Sequence, residues 1–266
     1  MQTAEDLESF LAGAVRSPAG ERADGTVEPP ELEAPDIHLL AEDGAAVFNL
    51  SLPLDVWLEA VRKTQVPREF RRHIALTGFT RALLINSALA GEFAQTVADL
   101  SPADTSAMRK YLAAAPDARL NEGLFWLLHR PGIRPEVREG LLRAAGDAQI
   151  DDYRDNWWPV PRTFWSRSPP DLPFLSLQQK HQAVAEARQI ADLGSARLLL
   201  ATAVVAWAND QPNDPRLPEA LALTVRMSRY SFPDPAADRL VQKAFEILHQ
   251  RFPRSTWAKQ SPYWFK

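Results

Sequence analysis

Residues 176–208, SLQQKHQAVAEARQIADLGSARLLLATAVVAWA, predict the fold class more directly than any other stretch of the chain. Ser176 and Gln179 match a capping box for a helix that runs to Leu193, and Gly194 stands where a glycine commonly ends a helix. The next helix, over residues 195–208, is almost wholly apolar, so we expect it to lie at the centre of a bundle. The stretch therefore predicts a helical hairpin.

The same helical period runs through most of the chain outside this hairpin. Ser51 is expected to cap a short helix, and Ser101 with Asp104 marks a further helix start. Residues 45–50 are at most one short extended segment. The other predicted helices cover about 4–16, 67–85, 88–100, 117–129, 135–145, 217–230 and 234–251. We predict an all-α fold of antiparallel helical hairpins, stacked as a bundle or a short α-solenoid.

The spacing of proline and acidic residues divides the chain into four predicted parts. Residues 1–47 are an N-terminal helix and an extended acidic linker, which together form an arm, and 48–149 are a first helical subdomain. Residues 150–175 contain five prolines, at 159, 161, 169, 170 and 173, so we expect a long Pro/Trp-rich connecting loop. Residues 176–266 form C-terminal helical hairpins with an aromatic tail.

Composition argues against several functional classes. The net charge is −4, so a general nucleic-acid binder is not expected. Cysteine is absent, which excludes disulfides and thiolate zinc sites. No apolar run is long enough to predict membrane insertion. The start, MQTAEDLESF, does not resemble a signal peptide. The chain is therefore cytoplasmic by default, or extracytoplasmic if Met1 begins a mature form, and it can be a fragment of a longer protein.

The stretch YRDNWWPVPRTFW, residues 153–165, is the most unusual in composition and has two interpretations. Its tryptophans can anchor a long loop, since burying indole rings offsets the entropy lost when the loop is ordered. We expect at least two of the three to face inward. Alternatively, its rings and carboxylates can bind a glycan or small ligand, or act on a glycan. The candidate residues are Asp151, Asp152, Asp155, Trp157, Trp158 and Trp165.

The C-terminal segments DPRLPEALALTVRMSRY and HQRFPRSTWAKQSPYWFK carry a resemblance to a known class of proteins. A helix that closes on an aromatic-Pro-x-Ser element, here Phe252 to Ser255, resembles the end of a repeat unit in bacterial tetratricopeptide-type proteins. The repeat's opening Trp-x-x-Leu-Gly-x-x-Tyr pattern is not present. The resemblance implies a helical-repeat scaffold for protein interaction and transfers no catalytic residue.

None of the sequence motifs that accompany nucleophilic catalysis, phosphate binding or zinc binding occurs. We therefore expect no cofactor and no metal, and we favour a non-enzymatic scaffold for protein–protein interaction, such as an accessory subunit of a larger bacterial assembly. The glycan- or ligand-binding protein is the alternative. The expected partner is another protein, contacted through the N-terminal arm and the tail at Phe10, Leu11, Trp257 and Trp264. Tail aromatics can instead cover the apolar end of the last helix as a lid.

Overall fold

A computed structural model describes residue 7 and residues 15–16, 39–40, 42–137, 140–141, 157–158, 171–228 and 233–264. These parts of the chain are all-α, as the sequence predicts, with eleven helices from residue 42 onward. The first six helices are α1 Glu42–Leu50, α2 Leu54–Arg62, α3 Arg68–Leu84, α4 Ala90–Leu100, α5 Thr105–Ala113 and α6 Pro116–Leu128. The other five are α7 Leu177–Asp192, α8 Ala196–Asp210, α9 Leu217–Met227, α10 Pro235–Arg251 and α11 Thr256–Gln260.

Helices that follow one another in the chain mostly pack against one another, which fits stacked hairpins. From α2 to α6, each helix contacts the next, and α8, α9 and α10 contact each other as a group of three. Helix α6 also contacts α8 and α9, so side chains from both halves join one hydrophobic cluster. Helix α8 buries one face, with Leu200, Ala201, Val204 and Ala208, whereas Thr202 and Ala206 are exposed, so the expected central position is met by that face alone.

The local signals at the ends of α7 behave as predicted. The Ser176 hydroxyl accepts a hydrogen bond from the Gln179 backbone N–H at 3.2 Å. The Gln179 side chain in turn accepts one from the Ser176 N–H at 3.0 Å. Gly194 has φ +76°, the left-handed conformation that ends helices at low cost only for glycine. Each signal lies within three residues of the helix end that it specifies.

Several predicted elements near the first half are wrong. Residues 45–50 belong to helix α1, so the expected extended segment does not form, and the boundary at residue 47 falls inside that helix. Ser51 does not cap α2, because Pro53 occupies the N-cap position. The helix expected from Ser101 starts later, at Thr105. The helix expected near 135–145 is also contradicted, since residues up to 137 are not helical and Gly140–Leu141 is a strand.

Three two-residue strands form a small antiparallel sheet in the order β1 Val15–Arg16, β2 Leu39–Leu40 and β3 Gly140–Leu141. The strand at 15–16 shortens the helix predicted over 4–16. Within that predicted helix, Leu7 is helical and only 1% exposed, as part of the main hydrophobic cluster. At these points the N-terminal region packs with the body of the protein.

No single helix in the described ranges is long and apolar enough to cross a bilayer. Helices α7 and α8 together meet the length and composition test, with a bend of 79° between them.

Candidate functional site

Two of the predicted loop tryptophans lie in the protein interior. Trp157 is 4% exposed and Trp158 is 3% exposed, and both belong to the main hydrophobic cluster. The expectation that at least two loop tryptophans face inward is therefore confirmed. Asp151, Asp152, Asp155 and Trp165, like Phe10 and Leu11 of the predicted partner site, lie outside the described residues.

Trp158 also makes a backbone contact that supports the anchoring interpretation. Its carbonyl accepts a hydrogen bond from the N–H of Ala196 at 3.1 Å. Ala196 is the first residue of α8, and the first N–H groups of a helix have no partner within the helix. The Ser195 hydroxyl accepts the Leu198 N–H at 3.2 Å. Trp158 therefore adds to the cap at the N-terminus of helix α8.

The aromatic tail divides into packed and exposed residues. Trp257 and Trp264 are partly buried and pack against the main cluster. Residue Tyr263 is 66% exposed. Nε2 of His249 lies 2.9 Å from the Ser261 carbonyl oxygen, which holds the tail against helix α10. Two of the tail tryptophans thus cover the protein's own apolar surface, as expected of a lid.

A buried arginine in α3 is the most unusual charged residue in the described structure. Arg81 is 1% exposed, and its Nη2 donates to the Asn49 carbonyl at 3.1 Å. Its guanidinium carbon lies 5.2 Å from the centre of the Trp57 ring. Burial lowers the pKa of Arg81 to about 10, although Glu186 and Glu136 act to raise it. Arg81 therefore keeps its charge at neutral pH, inside the protein.

Glu186 of helix α7 is a buried carboxylate whose negative charge acts on Arg81. Its Oε2 accepts the Leu54 backbone N–H at 2.9 Å, and its Oε1 accepts from the Gln182 side chain at 2.9 Å. Burial raises the pKa of Glu186, an effect opposed by these hydrogen bonds and by the charge of Arg81. Burial also raises the pKa of Glu136, against the charges of Arg81 and Arg134.

The side chain of Asn49 completes this group, which we call the Arg81 cluster: Asn49, Arg81, Glu136 and Glu186. Asn49 Nδ2 donates to the Val137 carbonyl, and its Oδ1 accepts from the Val137 N–H, both at 2.8 Å. The cluster joins α1, α3, α7 and the segment before β3. Carboxyl groups with raised pKa values are candidates for proton transfer. Here, however, both carboxylate oxygens of Glu186 already accept hydrogen bonds, from the Leu54 N–H and from the Gln182 side chain.

A second group of charges surrounds an open cleft of about 610 Å3 beside residues 210–216. Arg216 bonds Asp214 through Nε at 3.0 Å and Nη2 at 2.6 Å, and it pairs with Glu122. Its guanidinium carbon lies 4.9 Å from the Trp207 ring centre. The hydrogen bond to Asp214 raises the pKa of Arg216. Burial alone would raise the pKa of Asp214, yet its bonds with Arg216 lower it. Because the side chains of Arg216, Asp214 and Glu122 are already held by one another in ion pairs, we interpret the group as structural.

The outer face of helix α7 exposes two large apolar side chains beside polar ones. Leu177 is 69% exposed and Val184 is 42% exposed. With His181 and Arg188, both exposed, they form a stripe at i, i+4, i+7 and i+11. The buried face of the same helix carries smaller side chains, Ala183 and Ala187, together with Ile190 and Glu186. We call the stripe Leu177, His181, Val184 and Arg188 the α7 outer face.

The sequence reasoning did not identify the Arg81 cluster or the α7 outer face. Arg81 belongs to a stretch with an ordinary helical pattern, and nothing local indicates that its side chain is buried. Leu177 and Val184 are seven residues apart, which identifies a shared face but not whether that face is covered. Within the ranges that the structure describes, no group of three His, Cys, Asp or Glu side chains is arranged to hold a metal ion.

Comparison of the chain with protein-family models, with curated proteins and with solved structures gives no match.

Proposed function

We propose that this protein is a helical scaffold that binds another protein, and that the α7 outer face is its contact surface. The observation that carries the proposal is that α7 exposes two large apolar side chains, Leu177 and Val184. Exposing larger apolar side chains costs free energy that a partner's apolar surface recovers, at about 25 cal/mol per Å² removed from water.

The charge beside this stripe indicates the chemistry of the partner. Arg188 is exposed, and no carboxylate of the described chain lies within ion-pair distance of it. A cation beside two apolar side chains complements an amphipathic helix that has an apolar stripe and an acidic flank, since helices dock on grooves and helix faces through side chains at this spacing. We therefore propose an acidic amphipathic helix of a partner protein as the occupant.

The proposed repeat character supports the same function. The tail around Phe252–Ser255 resembles a repeat ending in tetratricopeptide-type proteins, and helical-repeat proteins commonly present helix faces to partners. Tail residues Trp257 and Trp264 remain further candidates for partner contact in this proposal, beside their packing on the main cluster. Phe10 and Leu11 near the N-terminus also remain candidates for partner contact in this proposal.

Two synthetic helical peptides test the proposal. Both share one apolar stripe, and one carries glutamates at the flank where the other carries lysines. We expect the acidic peptide to bind the full chain, measured by fluorescence anisotropy, and the basic peptide to bind at least about tenfold more weakly, a difference of one ion pair beside a desolvated contact.

Matched variants locate the binding surface. Leu177→Ser and Arg188→Glu should each weaken binding of the acidic peptide by about tenfold. Leu120→Ser, at an exposed leucine of α6, and Arg239→Glu, at an exposed arginine of α10, should leave it unchanged. Failure of the acidic peptide to bind, or equal losses in the control variants, would show that the α7 outer face is not the site.

A further inference from the structure

Among the described residues, helix α7 makes one long-range side-chain hydrogen bond, from Glu186, beside a buried face of mostly small apolar side chains. Its buried side chains are Ala183, Ala187, Ile190 and Glu186. Among helices, its main packing partner is α1. Two of the three buried apolar side chains are alanines, which bury less area than larger side chains, and the Glu186 carboxylate adds a polar contact to this face.

The contact of Glu186 is a helix cap supplied from a distant helix. Leu54 is the first residue of α2, and Pro53 at the N-cap position has no side-chain oxygen to accept the first N–H groups. The Glu186 carboxylate accepts the Leu54 N–H instead, at 2.9 Å. A carboxylate at a helix N-terminus is also favoured by the helix dipole. Arg81 of α3 attracts this carboxylate, and Asp55 of α2 repels it.

At the C-terminal end of α7, the chain bends sharply into the next helix. Gly194 has φ +76°, and the axes of α7 and α8 differ by 79°. Helix α8 packs mainly against α9 and α10, and α7 is not among its main packing partners. Movement of α7 therefore leaves the packing among α8, α9 and α10 intact.

From these contacts we propose that α7 is a reversibly docked helix, latched by the Glu186 carboxylate on the N-terminus of α2. Opening of α7 removes the cap from the first turn of α2 and uncovers the apolar side of α1. Local opening of this kind occurs in elements with few buried apolar contacts. The latch does not depend on the binding function proposed above, because it acts within the free protein.

Native-state hydrogen exchange followed by mass spectrometry tests the latch. In the full chain, we expect amides of α7 to exchange through an opening that leaves α8 and α10 protected. Glu186→Ala should raise the opening equilibrium of α7 at least about tenfold, as expected for losing a hydrogen bond to a charged group, and should not change exchange in α10.

Glu246→Ala is the matched control for this variant. Glu246 of α10 accepts from Gln242 at 3.0 Å, the same i,i+4 bond that Gln182 makes to Glu186, but on the surface. It should leave α7 exchange unchanged. The latch is refuted if α7 and α8 of the wild type open together, or if Glu186→Ala accelerates exchange equally in all helices.

A distance measurement covers the case in which Glu186→Ala is poorly folded. The chain has no cysteine, so Glu59→Cys on α2 and Gln189→Cys on α7, both at exposed positions, can carry spin labels at two defined sites. The latch predicts one main distance in the wild-type background and a second, longer distance with Glu186→Met, which keeps the side-chain length but offers no oxygen to the Leu54 N–H. A single unchanged distance in both would overturn it.

Discussion

The backbone N–H of Leu54 donates a 2.9 Å hydrogen bond to the carboxylate of Glu186, which lies 132 positions later in the chain. One end of helix α2 is thereby completed by a side chain from helix α7. Arg81 attracts the same carboxylate from α3. Residues that are ordinary in their own helices thus form a polar connection between the two halves, as the Arg216–Glu122 ion pair does elsewhere.

The buried Glu186 should make stability depend on pH. Burial raises its pKa above the ordinary 4.5, so the folded state holds this proton more tightly than the unfolded state. Its contribution to stability is therefore greatest below 4.5 and falls as the pH rises through the raised folded value. Glu186→Gln keeps an oxygen for the Leu54 N–H and cannot ionise. The stability of this variant relative to wild type should increase with pH, measured by urea unfolding from pH 4 to 8.

Glu246→Gln, at an exposed carboxylate of α10, provides the control for that series. Glu136, whose pKa burial also raises, should give a residual slope of the same sign in the Glu186→Gln protein. A difference between wild type and Glu186→Gln that does not vary with pH would contradict the prediction.

Close approach of helices α3 and α4 should make Gly78 intolerant of substitution. A Cβ at Gly78 would lie 2.8 Å from Cδ1 of Phe93, whose ring is fully buried. We expect Gly78→Ala to destabilise the protein by about 1–3 kcal/mol through overpacking, in spite of alanine's better helix propensity. Thermal and urea unfolding would measure this.

Gly91 in α4 provides a matched comparison, because a Cβ there would meet no atom within 4 Å. Gly91→Ala should stabilise the protein by about 0.5–1 kcal/mol. Equal effects of the two substitutions would show that the α3–α4 contact does not constrain Gly78.

The buried loop tryptophans should be needed for stability. Trp157→Ala and Trp158→Ala should each cost about 3–5 kcal/mol, the range for removing a large buried aromatic side chain. Tyr263→Ala, at a tail residue that is 66% exposed, should cost less than about 0.5 kcal/mol. If the tryptophan variants unfold with wild-type midpoints, the rings do not anchor the loop, and the glycan-binding alternative gains support.

Gly194 should be the least replaceable residue of the turn between α7 and α8. Its φ of +76° costs a residue with a Cβ about 1–2 kcal/mol, while the space around it is open, the nearest atom being Leu198 Cδ2 at 3.7 Å. Gly194→Ala should lower the free energy of unfolding by that amount. Gly194→Asn should lower it less, because asparagine adopts this conformation more readily. Equal losses would indicate a steric cause instead.

Most helices could be predicted from the sequence because their signals are local. The capping pair Ser176–Gln179 and the stop at Gly194 each act within three residues, and both appear in the structure. Burial of Trp157 and Trp158 was also predictable, since large aromatic rings among prolines have few other ways to hold a long loop. Helix α1 was missed because Val47, Phe48 and Leu50 suit a strand as well as a helix, and burial of this face decided between them.

The sequence by itself determined that this protein is all-α, where most of its helices begin and end, and that Trp157 and Trp158 of the loop turn inward. Only the tertiary structure decided that Arg81 is buried, that Glu186 caps α2 and that Leu177 and Val184 stay exposed. The physical reason is the range of the interactions. Caps, turns and helical period act between neighbours in the chain, whereas burial and long-range hydrogen bonds depend on which helices meet after folding.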